Sequence, residues 1–530
     1  MGDANRERSR LRQRLWFAAV ALLAALAITL ETADRGIGIS PDSVGYIQRA
    51  RDLAEPGGLA SLWDGGAFVS QPPLYPLLLA AVARTTDIDP LRAVRPVNAA
   101  LLALSIYLAC AILLAGGGRA FHPLVAGFAP LALVTSRSLH DVFGMAWSEP
   151  PFVLCVILCL ASLAGFLRSG RRGAFAAAAA LATLAVFTRY SGVTLIAAGT
   201  LCVHFASPRA ARARLRDALL FAGVPAGLFA LWLLRNQLLT GTPLGSRAPA
   251  VTSALENAAR FAAVAQAHWL PSTAEMGGAW KLGVAAGMLA VAAWLVLPRA
   301  AGFVANLAAD RAVVVSCATF AAVYAVFTVA TSSVVAYDPI DFRLFAPVFV
   351  PLWAVLCLGA DAVLRLESAP GASRRRTVVV AAVLAAALLQ PVRQAVRDFG
   401  EWRVHGRQLA REEWTGSALV AWLRSGPGLR DDLPVYSNMR VAVEWFAGGH
   451  ARNVPSRNAC AGRTGEGARS CFFETVDPAL LDSYWVEFTD VHYPYHYTLE
   501  EIADWVRVET VVETDDGRVM RIRGRRPPPA

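Results

Sequence analysis

Apolar runs separated by short polar breaks cover the chain as far as residue 392. A helix needs about 20 residues to cross a bilayer, and most of these runs have that length. Region 174–205 is too long for one crossing, whereas the run at 72–83 is too short. Runs long enough to span lie near 15–32, 93–115, 121–137, 150–167, 216–234, 281–297, 311–330, 343–362 and 377–392.

The polar breaks decide the orientation of these runs. Arginine is concentrated in breaks such as "RERSRLRQR", "RSGRRG" and "SPRAARARLRD", and the positive-inside rule places such breaks in the cytoplasm. Because both flanks of 174–205 are arginine-rich, this region must cross twice, as two short helices that turn near "FTRYSG". The run at 72–83 must then not cross, and it is expected to lie in the outer interface.

The pattern therefore predicts an all-α polytopic membrane protein with about eleven transmembrane helices. Its N-terminus is inside and its C-terminus outside, which indicates a multi-pass protein of the cytoplasmic (inner) membrane. "VRVETVVETDDGRVMRIRG" predicts strands of a small C-terminal α/β domain, and "REEWTGSALVAWLRSG" predicts one amphipathic helix there. The predicted parts are a basic cytoplasmic tail (1–14), a transmembrane module (15–392) with outer loops at 31–92 and 235–280, and an extracytoplasmic domain (393–530).

Composition supports a membrane protein and excludes other classes. Hydrophobic residues make up 55% of the chain and charged residues 17%, whereas about 25% of a soluble chain is charged. The net charge of +10 comes from arginines between apolar runs, as in an orientation signal, so nucleic acid is excluded as a partner. The sequence has no Walker motif, no dinucleotide fingerprint and no nucleophile elbow.

The cysteines fall into two groups. Six lie in apolar runs, where a thiol behaves as a small hydrophobic group. Cys460 and Cys471 lie in the polar tail, and a disulfide between them is expected because that tail is predicted to be outside. No metal site is predicted, since His492 and His496 near Asp490 lack a third spaced ligand.

Charged side chains gather at the outer ends of the predicted spans. Ionisable groups at such positions are costly unless paired or hydrated, so together they indicate a functional site, although each alone is equally explained as a cap or an interface anchor. Arginine suits an anionic headgroup, and a nearby carboxylate suits removal of a proton from a hydroxyl nucleophile. These residues are Asp42, Asp141, Glu149, Arg189, Arg235, Asp338, Asp341 and Arg343.

Several motifs resemble one family in order and spacing. They begin with "PDSVGYIQRARDLAEPGGL" and "QPPLYPLLLA", continue with "WSEPPFVLCVILCL", "LAVFTRYSGVTLI", "LLRNQLLTGTPLG" and "DFRLFAPVFVPL", and end with "PVYSNMRVAVEWFAGGHARNVPS". The chain resembles integral-membrane glycosyltransferases of the GT-C fold, specifically the glycosyltransferase family 39-like group of protein mannosyltransferases and aminoarabinose transferases. It departs from the family pattern at Ser43, where relatives often carry a second acid, and at Gln71, where many carry histidine.

The resemblance implies transfer of a sugar from a polyprenyl-phosphate donor at the outer membrane face, with inversion. It places Asp42 at the position of the general base and requires no cofactor, and a divalent metal ion is unsupported. The candidates for holding the donor phosphate are Arg343, Arg189 and Arg235. The candidates for positioning the acceptor are Tyr46, Asp141, Glu149, Gln71 and Tyr75.

Two other classes remain as alternatives to a glycosyltransferase. A polytopic secondary transporter of an anionic solute would also have buried charges, although transporters usually show repeated halves and binding at the bilayer midplane. A receptor or scaffold would use the spans only as an anchor. One span of roughly 20 residues is enough for anchoring, and about eleven are far more than that. The sequence leaves the sugar open, and the acceptor could be a glycan, a lipid or a protein.

Overall fold

The apolar runs form helices, and the polar tail forms a small mixed sheet with helices. A computed structural model describes residues 3–63, 69–114, 120–245, 247, 249–269, 296–366, 370–425, 429, 432–493 and 495–527. The chain divides into two units. Unit 1 comprises Met1–Ile37 and Gly45–Val404, and unit 2 comprises Gly38–Val44 and His405–Ala530.

The α-helices before the division at Val404 are numbered in chain order over the described residues. They are α1 (Asp3–Glu31), α2 (Pro41–Ala54), α3 (Leu74–Thr86), α4 (Pro90–Leu108), α5 (Pro123–Val134), α6 (Arg137–Phe143), α7 (Glu149–Ser169), α8 (Arg172–Thr188), α9 (Val193–Ala206), α10 (Ala211–Thr240), α11 (Ala254–Ala267), α12 (Ala300–Ala308), α13 (Arg311–Ser332), α14 (Phe342–Leu364) and α15 (Pro370–His405).

Seven helices in the described part of the chain are long and apolar enough to cross a membrane: α1, α4, α7, α10, α13, α14 and α15. Three further predicted spans correspond to the shorter apolar helices α5, α8 and α9, and the one predicted at 281–297 lies outside the described residues. The all-α polytopic architecture with a small C-terminal α/β part is thus confirmed. The run at 72–83, which is predicted not to cross, forms the 13-residue helix α3.

The break predicted near "FTRYSG" is confirmed as the division of 174–205 into two helices. Helix α8 ends at Thr188, a single turn covers Tyr190–Gly192, and α9 follows. Gly192 packs so tightly on α8 that a Cβ there would lie 2.4 Å from the Val186 nitrogen. Only glycine allows the backbone to come this close to α8. The turn therefore fixes the C-terminal end of α8, where Arg189 lies.

Burial distinguishes central helices from peripheral ones. The apolar windows of α7 and α14 are each 72% buried, whereas those of α10 and α15 are only 22% and 11% buried. Apolar helices with so little burial are typical of membrane spans that face lipid. These two helices are therefore the most buried of the seven, and each carries a charged residue of the candidate site in its first turn: Glu149 in α7 and Arg343 in α14.

Unit 2 is a five-stranded sheet with short helices. The strands are β1 (Val435–Ser437), β2 (Ala451–Asn453), β3 (Asp482–Phe488), β4 (Val506–Thr514) and β5 (Gly517–Arg525). The helices are α16 (Glu412–Thr415), α17 (Ala418–Ser425), α18 (Arg440–Ala447), α19 (Gly465–Thr475) and α20 (Leu499–Ile502). The strand order is β2-β1-β3-β5-β4. Strand β1 is parallel to both of its neighbours, and β5 is antiparallel to β3 and β4.

One detail of the tail differs from expectation. The segment predicted as one amphipathic helix is two helices, α16 and α17, because Gly416 ends the first and the Ser417 hydroxyl accepts the Val420 N–H at 3.0 Å to start the second. The extracytoplasmic boundary at 393 stays a prediction; α15 continues through polar residues to His405, and the two units divide after Val404.

Cys460 and Cys471 are joined by a disulfide, with 5.9 Å between their Cα atoms. It links the end of a short turn, Arg457–Cys460, to helix α19. Both cysteines are buried beside the core of unit 2, which is built on residues such as Trp485, Phe472 and Ile522.

Removing this disulfide is expected to destabilise unit 2. The double variant Cys460→Ser/Cys471→Ser should lower the free energy of unfolding by roughly 2–3 kcal/mol, because the unfolded chain is no longer closed into a loop. Thermal unfolding with and without reductant measures the effect: reductant should lower the wild-type midpoint to that of the variant and leave the variant unchanged. Two free thiols in peptide maps of the membrane-purified protein would contradict the bond.

Candidate active site

The helix that carries Asp42 is capped by two serines. The Ser43 hydroxyl accepts the Ser40 N–H at 3.0 Å, and the Ser40 hydroxyl accepts the Ser43 N–H at 3.4 Å. This reciprocal arrangement satisfies two N–H groups at the N-terminus of α2, as in a capping box. Asp42 is half-buried in the first turn. These two cap hydrogen bonds therefore do not involve the Asp42 carboxylate.

One turn after Asp42, helix α2 carries the buried Tyr46. Its hydroxyl is hydrogen-bonded to the Ser148 hydroxyl at 2.9 Å. Its ring meets that of Tyr75 edge to face, with 5.1 Å between centroids. Tyr75 lies on α3 and is fully buried. The motifs "PDSVGY" and "PPLYP" are thus joined through their tyrosines.

Glu149 lies at the centre of the polar groups in unit 1. It is 1% exposed, and its Oε1 forms ion pairs with Arg189 Nη1 at 2.5 Å and with Arg343 Nε. Arg189 Nη1 also donates to the Ser148 hydroxyl at 3.2 Å. A buried carboxylate is tolerated only with such partners. The resulting glutamate cluster consists of Tyr46, Tyr75, Ser148, Glu149, Arg189 and Arg343.

Each charged member of the cluster stands at a helix end. Glu149 is the first residue of α7, where the helix dipole favours a negative charge. Arg189 follows the last residue of α8. Arg343 is in the first turn of α14, and its guanidinium lies over the Trp147 ring at 4.0 Å. Asp341 caps α14 by accepting the Leu344 N–H at 3.1 Å. Helix ends thus bring three distant residues to one place.

Three buried atoms of the glutamate cluster have no hydrogen-bond partner among the described residues: Glu149 Oε2, the Tyr75 hydroxyl and Arg189 Nε. Buried polar atoms are nearly always hydrogen-bonded in proteins, so unpaired ones indicate room for water or a polar ligand. The three provide both donors and acceptors. Each of them can therefore pair with a water molecule or with a polar group of a ligand.

Arg235 lies in a second polar group, at the C-terminal end of α10. It is 6% exposed and donates to the Asn236 side-chain oxygen at 2.7 Å. Its guanidinium lies 4.6 Å from the Trp232 ring centre and 5.9 Å from that of Trp63. In the described part of the chain no carboxylate lies within ion-pair distance of Arg235, whereas Arg49 is near enough to add like charge. Among the described residues, the charge of Arg235 is thus not compensated by a carboxylate.

Tyr190 connects the two groups. It follows Arg189, and its hydroxyl accepts from Trp232 Nε1 and Asn236 Nδ2, both at 3.3 Å. The same hydroxyl donates to the Val69 carbonyl at 2.7 Å. Tyr190 therefore links the Arg235 group to the glutamate cluster, because it follows Arg189 of that cluster directly in the chain.

Two other predicted residues are not members of these groups. Gln71 is half-buried in the loop before α3, and Asp141 is on α6, where its charge acts on Asp341. Sequence reasoning missed Ser148, which joins Tyr46 to Arg189, and Trp147. Both precede Glu149 directly in the quoted motif "WSEPP", so the signal was present. Tyr190 likewise follows the predicted Arg189 directly, and Trp232 lies three residues before the predicted Arg235.

A metal centre is not formed by the described residues, since no group of three His, Cys, Asp or Glu side chains is placed to hold an ion. The chemistry available to the described site is that of carboxylates, guanidinium groups and phenols. Such groups can move a proton and bind an anion.

The helical module with its small C-terminal sheet has the fold of GT-C glycosyltransferases, which confirms the resemblance at the level of fold. No protein-family model and no curated protein matches the chain. The likeness therefore comes from solved structures.

ArnT from Cupriavidus metallidurans in the apo state matches with a TM-score of 0.56 and 13% identity over 96% of this chain and 97% of that one. ArnT bound to undecaprenyl phosphate matches with a TM-score of 0.56 and 13% identity over 95% of this chain and 97% of that one. The Archaeoglobus fulgidus oligosaccharyltransferase in complex with Zn and sulfate matches with a TM-score of 0.52 and 12% identity over 88% of this chain and 68% of that one.

Proposed function

We propose that this protein is an integral-membrane glycosyltransferase that moves a sugar from a polyprenyl-phosphate donor to an acceptor hydroxyl, with inversion and with Asp42 as general base. The observation that carries the proposal is the buried guanidinium of Arg235, which lies near two tryptophan rings and has no carboxylate within ion-pair distance among the described residues. A cation without a carboxylate partner favours binding of an anion such as a phosphate. The undecaprenyl phosphate bound to ArnT, a protein of the same fold, supports this ligand class.

The ion pairs change which of the three candidate arginines is the best partner for the donor phosphate. Arg189 and Arg343 share the carboxylate of Glu149, so part of their charge is already compensated. Arg235 has no such partner among the described residues. We therefore assign the phosphate to Arg235, with Arg189 and Arg343 holding Glu149 in place beside the sugar.

In the proposed reaction Asp42 takes the proton of the acceptor hydroxyl while its oxygen attacks the anomeric carbon of the donor sugar. The bond between that carbon and the phosphate oxygen breaks, and polyprenyl phosphate leaves with the electron pair. Arg235 stabilises the negative charge that grows on the leaving phosphate, a contribution that is often the largest in catalysis. A single displacement of this kind inverts the configuration at the anomeric carbon.

The variant Arg235→Gln is expected to weaken donor binding by roughly 10- to 100-fold, because a hydrogen bond to a charged group contributes about 1.5–3 kcal/mol. Binding of a polyprenyl-phosphate sugar to the full-length protein in nanodiscs measures the effect. Arg260→Gln is the matched control, since Arg260 pairs with Glu256 at the surface of α11. Equal donor affinity in both variants would remove Arg235 from the phosphate site.

The proposed location is the cytoplasmic membrane, with the N-terminus inside and unit 2 outside. Impermeant thiol reagents applied to intact cells should label Ser70→Cys and Gly400→Cys and should not label Ser169→Cys. The protein without an introduced cysteine gives the background labelling. This background should be low, because five of its six free cysteines are buried and Cys155 is half-buried in α7. External labelling at position 169 would invert the proposed orientation.

Mass spectrometry of polyprenyl-phosphate sugars and envelope glycans, in cells with and without the gene, tests the function itself. Donor that accumulates without the gene would identify the sugar, and the missing product would identify a glycan, lipid or protein acceptor. A transporter of an anionic solute would instead change solute uptake and leave the glycans intact. The fold likeness to glycosyltransferases gives no support to that alternative.

A further inference from the structure

A dense group of arginines lies at the end of helices α7 to α10 that is opposite to Arg189 along α8. The connections between α7 and α8 and between α9 and α10, with the adjoining helix ends, contain seven arginines and a single acid, Asp217. This arginine group takes no part in the proposed reaction. Its members are Arg168, Arg171, Arg172, Arg209, Arg212, Arg214 and Arg216.

Asp217 holds the two connections together. It is fully buried on α10, and its carboxylate pairs with Arg172 at 2.9 Å, with Arg209 at 2.7 Å and with Arg216 at 3.5 Å. One carboxylate compensates only one of these charges. The arrangement is therefore fixed in position but remains strongly positive.

The other arginines of the group are left for a ligand. Arg168, Arg171 and Arg212 are exposed, and among the described residues none has a carboxylate within ion-pair distance. Arg214 is half-buried, and its Nε has no hydrogen-bond partner in the described part of the chain. Like charges held this close repel one another, so an anion bound among them lowers the free energy.

Exposed apolar side chains adjoin the arginines. Phe205 near the end of α9 is 70% exposed, and Leu215 and Leu219, one turn apart on α10, are also exposed. A soluble anion would use the arginines alone, whereas a phospholipid would place its phosphate on the arginines and its acyl chains on these apolar residues. Basic clusters at the ends of transmembrane helices bind anionic lipid headgroups in this way.

We propose that the arginine group is a binding site for an anionic phospholipid, braced by Asp217. A zwitterionic lipid brings its own cation with its phosphate and gains less from the arginines. The site therefore discriminates by headgroup charge, independently of the glycosyltransferase reaction.

The test is binding of phosphatidylglycerol and of phosphatidylcholine with the same acyl chains to the detergent-purified full-length protein, followed by native mass spectrometry. The wild type should prefer phosphatidylglycerol by about tenfold or more, since each arginine near a headgroup is worth about fivefold in affinity. The variant R171Q/R212Q, which changes two exposed side chains, should lose most of this preference and retain its phosphatidylcholine binding. R171Q alone should show a smaller loss in the same direction.

The matched control is R463Q/R507Q, which removes two exposed arginines from unit 2 and should keep the wild-type preference. Equal binding of the two lipids by the wild type would overturn the proposal, as would equal losses in R171Q/R212Q and the control. Competition by inorganic phosphate as effective as that by phosphatidylglycerol would also overturn it, because the acyl chains would then contribute nothing.

Discussion

Replacing Asp42 with asparagine is expected to reduce sugar transfer by about 10²–10⁴-fold, the usual effect of losing a general base. Asparagine has the same size but cannot take a proton. The cap of α2 is formed by Ser40 and Ser43, so the substitution leaves the helix start intact. Donor affinity should stay close to wild type, because the phosphate is assigned to Arg235. Turnover and donor binding, measured on the same preparation, separate the two effects.

Asp52→Asn is the control for Asp42→Asn. Asp52 lies on the same helix, and its exposed carboxylate is 3.7 Å from Arg49. Wild-type turnover is expected from it. Turnover near wild type in Asp42→Asn as well would return Asp42 to a structural role. The base would then be sought at Asp141, since Glu149 already serves two arginines.

Glu149→Gln should strongly destabilise unit 1. Glutamine leaves Arg189 and Arg343 buried without their shared counter-charge, and removing one partner of a buried ion pair typically costs about 3–5 kcal/mol. The two arginine side chains are 17% and 14% exposed, so water can replace the carboxylate only in part. The expected result is a clear fall in the thermal midpoint of the purified protein.

The comparison that decides the role of Glu149 is Glu256→Gln, which breaks an exposed pair with Arg260 on α11. Such surface pairs contribute about 0–1 kcal/mol, so this variant should unfold close to wild type. If the two glutamine variants unfold at the same temperature, the glutamate cluster does not hold α7, α8 and α14 together. Its arginines would then be available to the donor phosphate after all.

The features that depended on one segment at a time could be predicted from the sequence. Run length and arginine-rich breaks predicted the spans and the division of 174–205, because a bilayer imposes a length and an orientation on each helix. The turn at "FTRYSG" and the strands of the tail have local signals of the same kind. Asp42 and Tyr46 were recognised as one turn apart because helical spacing is fixed.

The features that depended on packing could not be predicted. Glu149 and Arg343 are far apart in the sequence, and only the packing of α7 against α14 brings them together. That Arg235 has no carboxylate partner among the described residues is equally hidden from the sequence, because it depends on which side chains pack around it. The end of α15 at His405 could not be predicted from hydropathy either, because a helix continues until a residue breaks it, and polar residues such as Arg397 do not.

Unit 2 is built from two stretches that lie almost a whole chain apart. The Leu409 N–H donates to the Ile39 carbonyl at 2.9 Å, and the short stretch Gly38–Val44 is grouped with the chain from His405 onward. During synthesis the first stretch emerges long before its partner exists, and contacts of such long range form late in folding. That stretch contains Asp42. A chain truncated before residue 405 would therefore contain Asp42 without the residues that pack against its stretch. Under the proposed function, the stretch that carries the base therefore gains its last packing partners only after the chain beyond residue 405 has been made.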